Sequence, residues 1–266
     1  MLKLSQIYIY PIKALGAISL QSSKVEARGL QYDRRWMLVT PKGKFITQRQ
    51  FPALCMLQPS ITDQGILVEN KQQTNMPALF IPFEIESGKD IQVRIWNDSC
   101  QASTVSEEAD KWLSEALGGD FHLVYMPDSS ERKVDPEYAK QGEIVSFADG
   151  YPFLIIGQAS LDQLNAKLQQ AVEMIRFRPN FVFTGGNAQQ EDEWTHFRIG
   201  NVDFEGVKLC ARCSVPNINP STAEQGAEPT ISLATYRRQN GKIMFGQNLL
   251  SSGNGRVQVG DEIVLS

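Results

Sequence analysis

The sequence predicts an α+β fold that is mostly β: an N-terminal β-barrel or sandwich-like domain over residues 1–122, then a C-terminal β-barrel with a few peripheral helices over 123–266. Three observations carry this. Short runs rich in β-branched and aromatic residues recur between Gly, Pro and Asn turns. Convincing helical periodicity is confined to two stretches, and a Pro- and charge-rich segment, 128–142, separates the halves. With 42% apolar and 21% charged residues among 266, the chain can bury a large core without disulfide staples.

In chain order, residues 6–10 predict a strand broken by Pro11, and 19–25 a second one ending before Gly29. A charged turn at 29–35 feeds the apolar run Trp36 to Thr40, and Pro41-Lys42-Gly43-Lys44 predicts a hairpin turn with 45–49 returning as a strand. Strands follow at 65–68 and 91–96. The first helix is expected over 104–117: Ala109, Trp112, Leu113, Ala116 and Leu117 share a face, Thr104 and Glu107 match a capping box, and Gly118-Gly119 stops it. Beyond the linker, 153–157 reads as a buried strand, and Ser160 with Gln163 predicts the cap of a helix burying Leu161, Leu164 and Leu168. Strands at 181–183, two across 197–209, and a closing strand near 257–265 complete the reading.

The net charge of −4 excludes a phosphate-neutralising surface of the kind that binds nucleic acid, so any anion site is local. No apolar run approaches the roughly 20 residues of a membrane-spanning helix. The first ten residues are too short in their apolar part for a signal peptide, so a cytoplasmic location is the expectation.

Chemistry concentrates at Lys208-Leu209-Cys210-Ala211-Arg212-Cys213-Ser214-Val215-Pro216-Asn217-Ile218-Asn219-Pro220. Two cysteines at this spacing can form a redox disulfide, half a zinc site or one soft thiolate ligand. A redox disulfide of the thioredoxin kind needs a helix starting at the first cysteine, and Pro216 and Pro220 forbid it. Zinc needs two more ligands, whereas Cys55, Cys100, His122 and His196 are scattered singly. Two core thiols and one activated thiolate remain, and the flanking Lys208 and Arg212 favour the thiolate. Cations recur at turns (Lys13, Arg34, Arg35, Arg49, Arg176, Arg178), and only their convergence would make an anion pocket.

Seven segments in order, Tyr10-Pro11-Ile12-Lys13, 29–36, 47–50, 146–152, Phe177-Arg178-Pro179-Asn180, Cys210-Ala211-Arg212-Cys213 and Phe245-Gly246-Gln247-Asn248, resemble the MOSC family in its branch with an N-terminal MOSC β-barrel domain. The resemblance implies a molybdenum cofactor (a molybdenum-molybdopterin) with Cys213 as its metal ligand and catalytic centre. It implies that Lys13, Arg34 and Arg178, with Asn180 nearby, hold the pterin phosphate. The activity implied is reduction of small N-hydroxylated compounds by electrons from an external ferredoxin- or flavoprotein-type donor; the charge and hydropathy above add the expectation of no nucleic acid and no membrane. The alternative is a non-redox module that binds the cofactor or carries a persulfide. The chain departs from the family pattern at Ala14, where serine is frequent, and at Asn219, before Pro220. It also lacks the four further cysteines of the [2Fe-2S] domain that some relatives carry, which is why a separate donor is expected.

Overall fold

A computed structural model describes residues 1–85, 88–139 and 141–266. The strands are β1 (Lys3–Ile9), β2 (Ile18–Leu20), β3 (Ser22–Glu26), β4 (Gly29–Leu30), β5 (Trp36–Val39), β6 (Leu57–Ile61), β7 (Gly65–Asn70), β8 (Leu79–Pro82), β9 (Asp90–Ile95), β10 (Asp98–Thr104) and β11 (His122–Tyr125) in the first half. In the second half they are β12 (Phe153–Gly157), β13 (Phe181–Thr184), β14 (His196–Ile199), β15 (Val202–Arg212), β16 (Arg238–Gln239), β17 (Lys242–Ser251), β18 (Gly255–Gln258) and β19 (Ile263–Leu265). The helices are α1 (Glu107–Leu117), α2 (Gln158–Asn165) and α3 (Thr230–Ala234). The molecule is thus mostly β with peripheral helices, as the turn-punctuated sequence predicts.

The largest sheet runs β19-β14-β15-β17-β12-β13-β1-β2, with β16 paired to β17. It closes on itself, because Lys3 bridges Glu262 and the Leu4 amide donates to the Asp261 carbonyl. Its interior is packed with Phe153, Ile155, Phe181, Phe183, Phe197 and Phe204 alongside Leu4, Ile7 and Ile9. β12 is buried on both sides: Phe153 and Ile155 point into this barrel, while Leu154 and Ile156 pack with Leu161, Leu164 and Phe177 beneath α2. The strand therefore reads as an uninterrupted apolar run rather than an alternating one. β5 does the same in the first half. Trp36 and Leu38 join the core under α1 and the sheet β6-β7-β8, while Met37 and Val39 join the core of the sheet β5-β11-β10-β9.

Several expectations need correction. The run 19–25 is two strands in two sheets: β2 pairs with β1, whereas β3 pairs with β18, and Gln21 is the break. The return after the 41–44 turn makes only isolated bridges at Lys44 and Phe45. α1 is capped by Ser106, whose hydroxyl accepts from the Ala109 amide, because Thr104 is still held in β10. Ser160 caps nothing: α2 begins two residues earlier, and the Ser160 hydroxyl is bound to the buried Glu191 carboxylate. The expected closing strand is two, β18 and β19, which pair with β3 and β14.

Candidate functional site

β15 carries the cysteine stretch. The strand continues through Cys210 to Arg212, so Cys213 stands just past its end, where a short 3-10 turn over Val215–Asn217 takes the chain away. β15 pairs with β17 in shifted register: Leu209 faces Gln247, but Ala211 faces Met244, so β17 holds one extra residue there. Gly246 sits in this bulge at φ +79°, and a Cβ there would lie 2.6 Å from Ile156 Cγ1 and 2.8 Å from the Ile155 carbonyl. The bulge bends the end of the hairpin and leaves Cys213 exposed while Cys210 is half-buried. Burial pushes the Cys210 thiol above its ordinary value, with Asp149 and Cys213 adding to the rise against Arg212 and Arg34.

Cys213 opens on a cleft also lined by Lys13, Ala14, Arg34, Asp149, Arg176, Arg178, Asn180 and Arg212. All five residues expected from the sequence therefore meet in one cavity. They arrive from distant points in the chain. Lys13 follows β1, where its amide donates to the Trp36 carbonyl. Arg34 and Arg178 both adopt left-handed backbone, φ +51° and +55°, which aims two long side chains from tight turns at the same place.

Tyr10 is the floor of this arrangement. Its fully buried ring lies between the two guanidinium groups, 4.3 Å from Arg34 and 4.1 Å from Arg178, and its hydroxyl donates to the Pro179 carbonyl. Asp33 pairs with Arg34 at 2.6 Å and accepts from the Tyr10 amide, locking the turn. Arg178 has no carboxylate partner among the described residues, only the Leu15 carbonyl at 2.7 Å. Desolvation and the neighbouring Arg34 push its guanidinium down to about 10, opposed by Tyr10, Asp33 and Asp149. A half-buried cation with no carboxylate in contact marks a place for an anionic ligand. Arg212 likewise keeps one terminal nitrogen, and Arg176 its Nε, without an acceptor.

Asn180 ties the wall together: its Oδ1 accepts from the Leu154 amide and from Arg34, while its Nδ2 donates to the Tyr8 carbonyl. Lys13 donates to the Phe147 carbonyl at 2.6 Å and to Asp149 at 2.7 Å. Desolvation pushes the Asp149 carboxyl up, but Lys13, the Trp96 indole and Arg34 pull harder, and it ends well below the usual carboxylate range. The same desolvation lowers the Lys13 ammonium despite Asp149. Arg132 holds the loop from behind, donating to the carbonyls of Ser146, Ala148 and Asp149.

Sequence reasoning did not single out Asp149, Tyr10 or Arg132. The signal for Asp149 was its place inside 146–152. Nothing local marks Arg132, since its partners are backbone carbonyls. Arg35, grouped with Arg34 by sequence, points elsewhere, to Met126 and Asp128.

No cluster of three or more His, Cys, Asp or Glu side chains able to cage a metal exists among the described residues. One exposed thiol beside buried and half-buried cations fits a metal that brings its own anionic organic ligand, with one soft protein donor completing it.

Residues 1–120 match the family model of the MOSC N-terminal beta barrel domain, and 142–264 match that of the MOSC domain. Mitochondrial amidoxime-reducing component 1 of Mus musculus is 29% identical across 98% of the chain and 81% of its own length. Mitochondrial amidoxime reducing component 2 of Bos taurus is 30% identical across 88% of the chain and 71% of its own length. A molybdenum cofactor sulfurase of Solanum lycopersicum is 29% identical across 98% of the chain, which spans 35% of that longer protein.

Proposed function

Because the chain belongs to the MOSC family, in the form that carries an N-terminal MOSC β-barrel domain, we propose that it is a molybdenum-cofactor-dependent reductase of N-hydroxylated compounds. The observation that supports this most directly is the cleft itself, which brings the exposed Cys213 together with Arg178, a guanidinium with no carboxylate in contact among the described residues. The balance is R–NH–OH with two electrons and two protons going to R–NH2 and water. When bound, the molybdenum centre supplies the two-electron chemistry.

The chain's own residues divide the remaining work. Cys213 is the metal's thiolate ligand, and Lys13, Arg34 and Arg178 hold the phosphate, with Asn180 fixing Arg34. Tyr10 holds both arginines against its ring and so preorganises them, which reduces the entropy lost on binding. Asp149 is ionised at neutral pH and so accepts hydrogen bonds rather than donating a proton; its solvent-exposed side chain leaves water to supply protons.

The test is to load the protein in a cofactor-competent host and measure molybdenum, pterin and reduction of an amidoxime with an artificial donor. Stoichiometric metal and amine formation are expected, and a loaded protein that reduces no N-hydroxylated compound overturns the proposal. The exposed thiol and the sulfurase relative also suit a sulfur-carrier reading, with a persulfide on Cys213. Native mass spectrometry separates the two, since that reading requires Cys213 to be 32 Da heavier, about one sulfur, with no metal-pterin bound.

A further inference from the structure

The proposed reaction consumes two electrons that the chain must receive from outside, and the surface beside the cleft has the chemistry to receive a carrier. The two-residue turn between β9 and β10 presents Trp96, 44% exposed. Its φ of +55° is a conformation that a bulky side chain adopts only at a cost. The turn is braced from several sides. Arg49 lies 4.9 Å over the indole, Phe45 packs edge-on at 5.0 Å, the Arg94 Nε donates to the Trp96 carbonyl, and the indole N–H donates to Asp149.

Around this aromatic stand Lys44, Arg49 and Arg94, which line a second concavity with Thr47, Gln50 and Asn97. Lys44 and Arg94 are bridge partners on adjacent segments, like charges side by side, and Lys42 is exposed in the same hairpin. None of the four cations forms a salt bridge among the described residues. On the exposed face of β9 the next carboxylate, Asp90, stands beyond Gln92, roughly 13 Å along the strand from Arg94, and bonds Ser103. The nearby Asp149 is already paired with Lys13. A chain of net charge −4 thus carries a local positive rim, centred on an exposed tryptophan. Charge clusters of this kind steer partners of opposite sign, and Trp and Arg are the residues that anchor interfaces. The concavity shares Thr47, Arg49 and Trp96 with the Cys213 cleft, so whatever docks there lies at the cleft's mouth.

We propose that the surface formed by Lys44, Arg94 and Trp96 is the docking site of an acidic electron-carrier protein, a reading that rests on the reductase assignment above. In each turnover the carrier is oxidised by two electrons in total, two protons enter from solvent, and cleavage of the N–O bond releases water.

The experiment compares the loaded wild type with the double variant Lys44→Glu/Arg94→Glu, whose side chains lie outside the cleft. Substrate reduction is driven by a reduced acidic flavodoxin, by a reduced acidic [2Fe-2S] ferredoxin, or by reduced methyl viologen, which needs no docking. Calorimetric titration follows association with each protein directly, and thermal melting checks the fold. The wild type should bind at least one carrier at low ionic strength and lose affinity as the screening length falls from about 30 to about 8 Å. The variant should raise the KM for that carrier about tenfold and leave viologen-driven turnover unchanged. A wild type that associates with neither carrier, an unchanged KM in the variant, or an equal loss with viologen overturns the docking site. A loaded wild type inert even with viologen overturns the reductase assignment instead, a failure the binding titration keeps separate.

Discussion

Arg178 and Cys213 illustrate how differently two residues of one cleft relate to stability. Cys213 is exposed and anchors no core, so Cys213→Ala should abolish molybdenum retention while changing unfolding free energy by less than about 0.5 kcal/mol. Metal analysis beside denaturant unfolding checks both halves of that statement. The Lys13–Asp149 pair is the opposite case. Lys13 is buried, the Asp149 side chain is 73% exposed, and the pair couples the turn after β1 to the 146–149 loop. Asp149→Asn should cost about 1 kcal/mol at pH 7, held down by solvent around the carboxylate. Because the folded carboxyl titrates below its unfolded value, this stabilisation is complete above the ordinary carboxylate pKa of about 3.9 and disappears as pH falls below it. The unfolding curves of wild type and variant should therefore draw together progressively as the pH falls below about 3.9, and a gap that stays constant or widens over that range would assign the effect to something other than this charge.

At the scale of elements, the bulge in β17 is the part most exposed to test. Gly246→Ala places a methyl group against Ile156 and the Ile155 carbonyl in a backbone region that disfavours any Cβ, and should destabilise by about 2–4 kcal/mol. Unfolding by urea would measure it, and a loss below 0.5 kcal/mol would mean that β12 can shift to accommodate the group. The same scale decides how much of the molecule could be read from its sequence. β5, β12 and α1 were legible because apolar patterning is local and strong. The cap of α1 was not, since Thr104 and Ser106 are both competent hydroxyls and only the extent of β10 chooses between them. Nor was the division of 19–25, because its two parts have the same β propensity and differ only in partners, β1 and β18, that lie in opposite directions along the chain. In the cleft, residue types identified the cations. Their pairing could not be read, since Lys13 meets Asp149 and Arg34 meets Asn180 across more than 130 residues.

For the whole molecule, the decisive fact is that the first strands belong to the sheet built by the second half. β1 pairs with β13, β3 pairs with β18, and residues 2–4 bond 260–263. A fragment beginning at residue 123 would leave the β13 edge and the rings of Phe181 and Phe183 uncovered, so it should be insoluble or lack a cooperative melt. The intact chain should unfold in one transition reported alike by tryptophans of both halves, Trp36 and Trp194. A soluble, cooperatively melting fragment would contradict this.

The same closure sets a timetable for biosynthesis. When β1 leaves the ribosome its partner Phe183 is still about 180 residues away, which at 5–20 residues per second is a wait of roughly 10–35 s. The residue that seals the ring, Glu262, which bridges back to Lys3, is made later still. Lys13 and Cys213 cannot face each other until the strands that close the ring have been made. A cofactor gripped by both would therefore be inserted only after the ring has closed, and nascent chains stalled before Glu262 should acquire none.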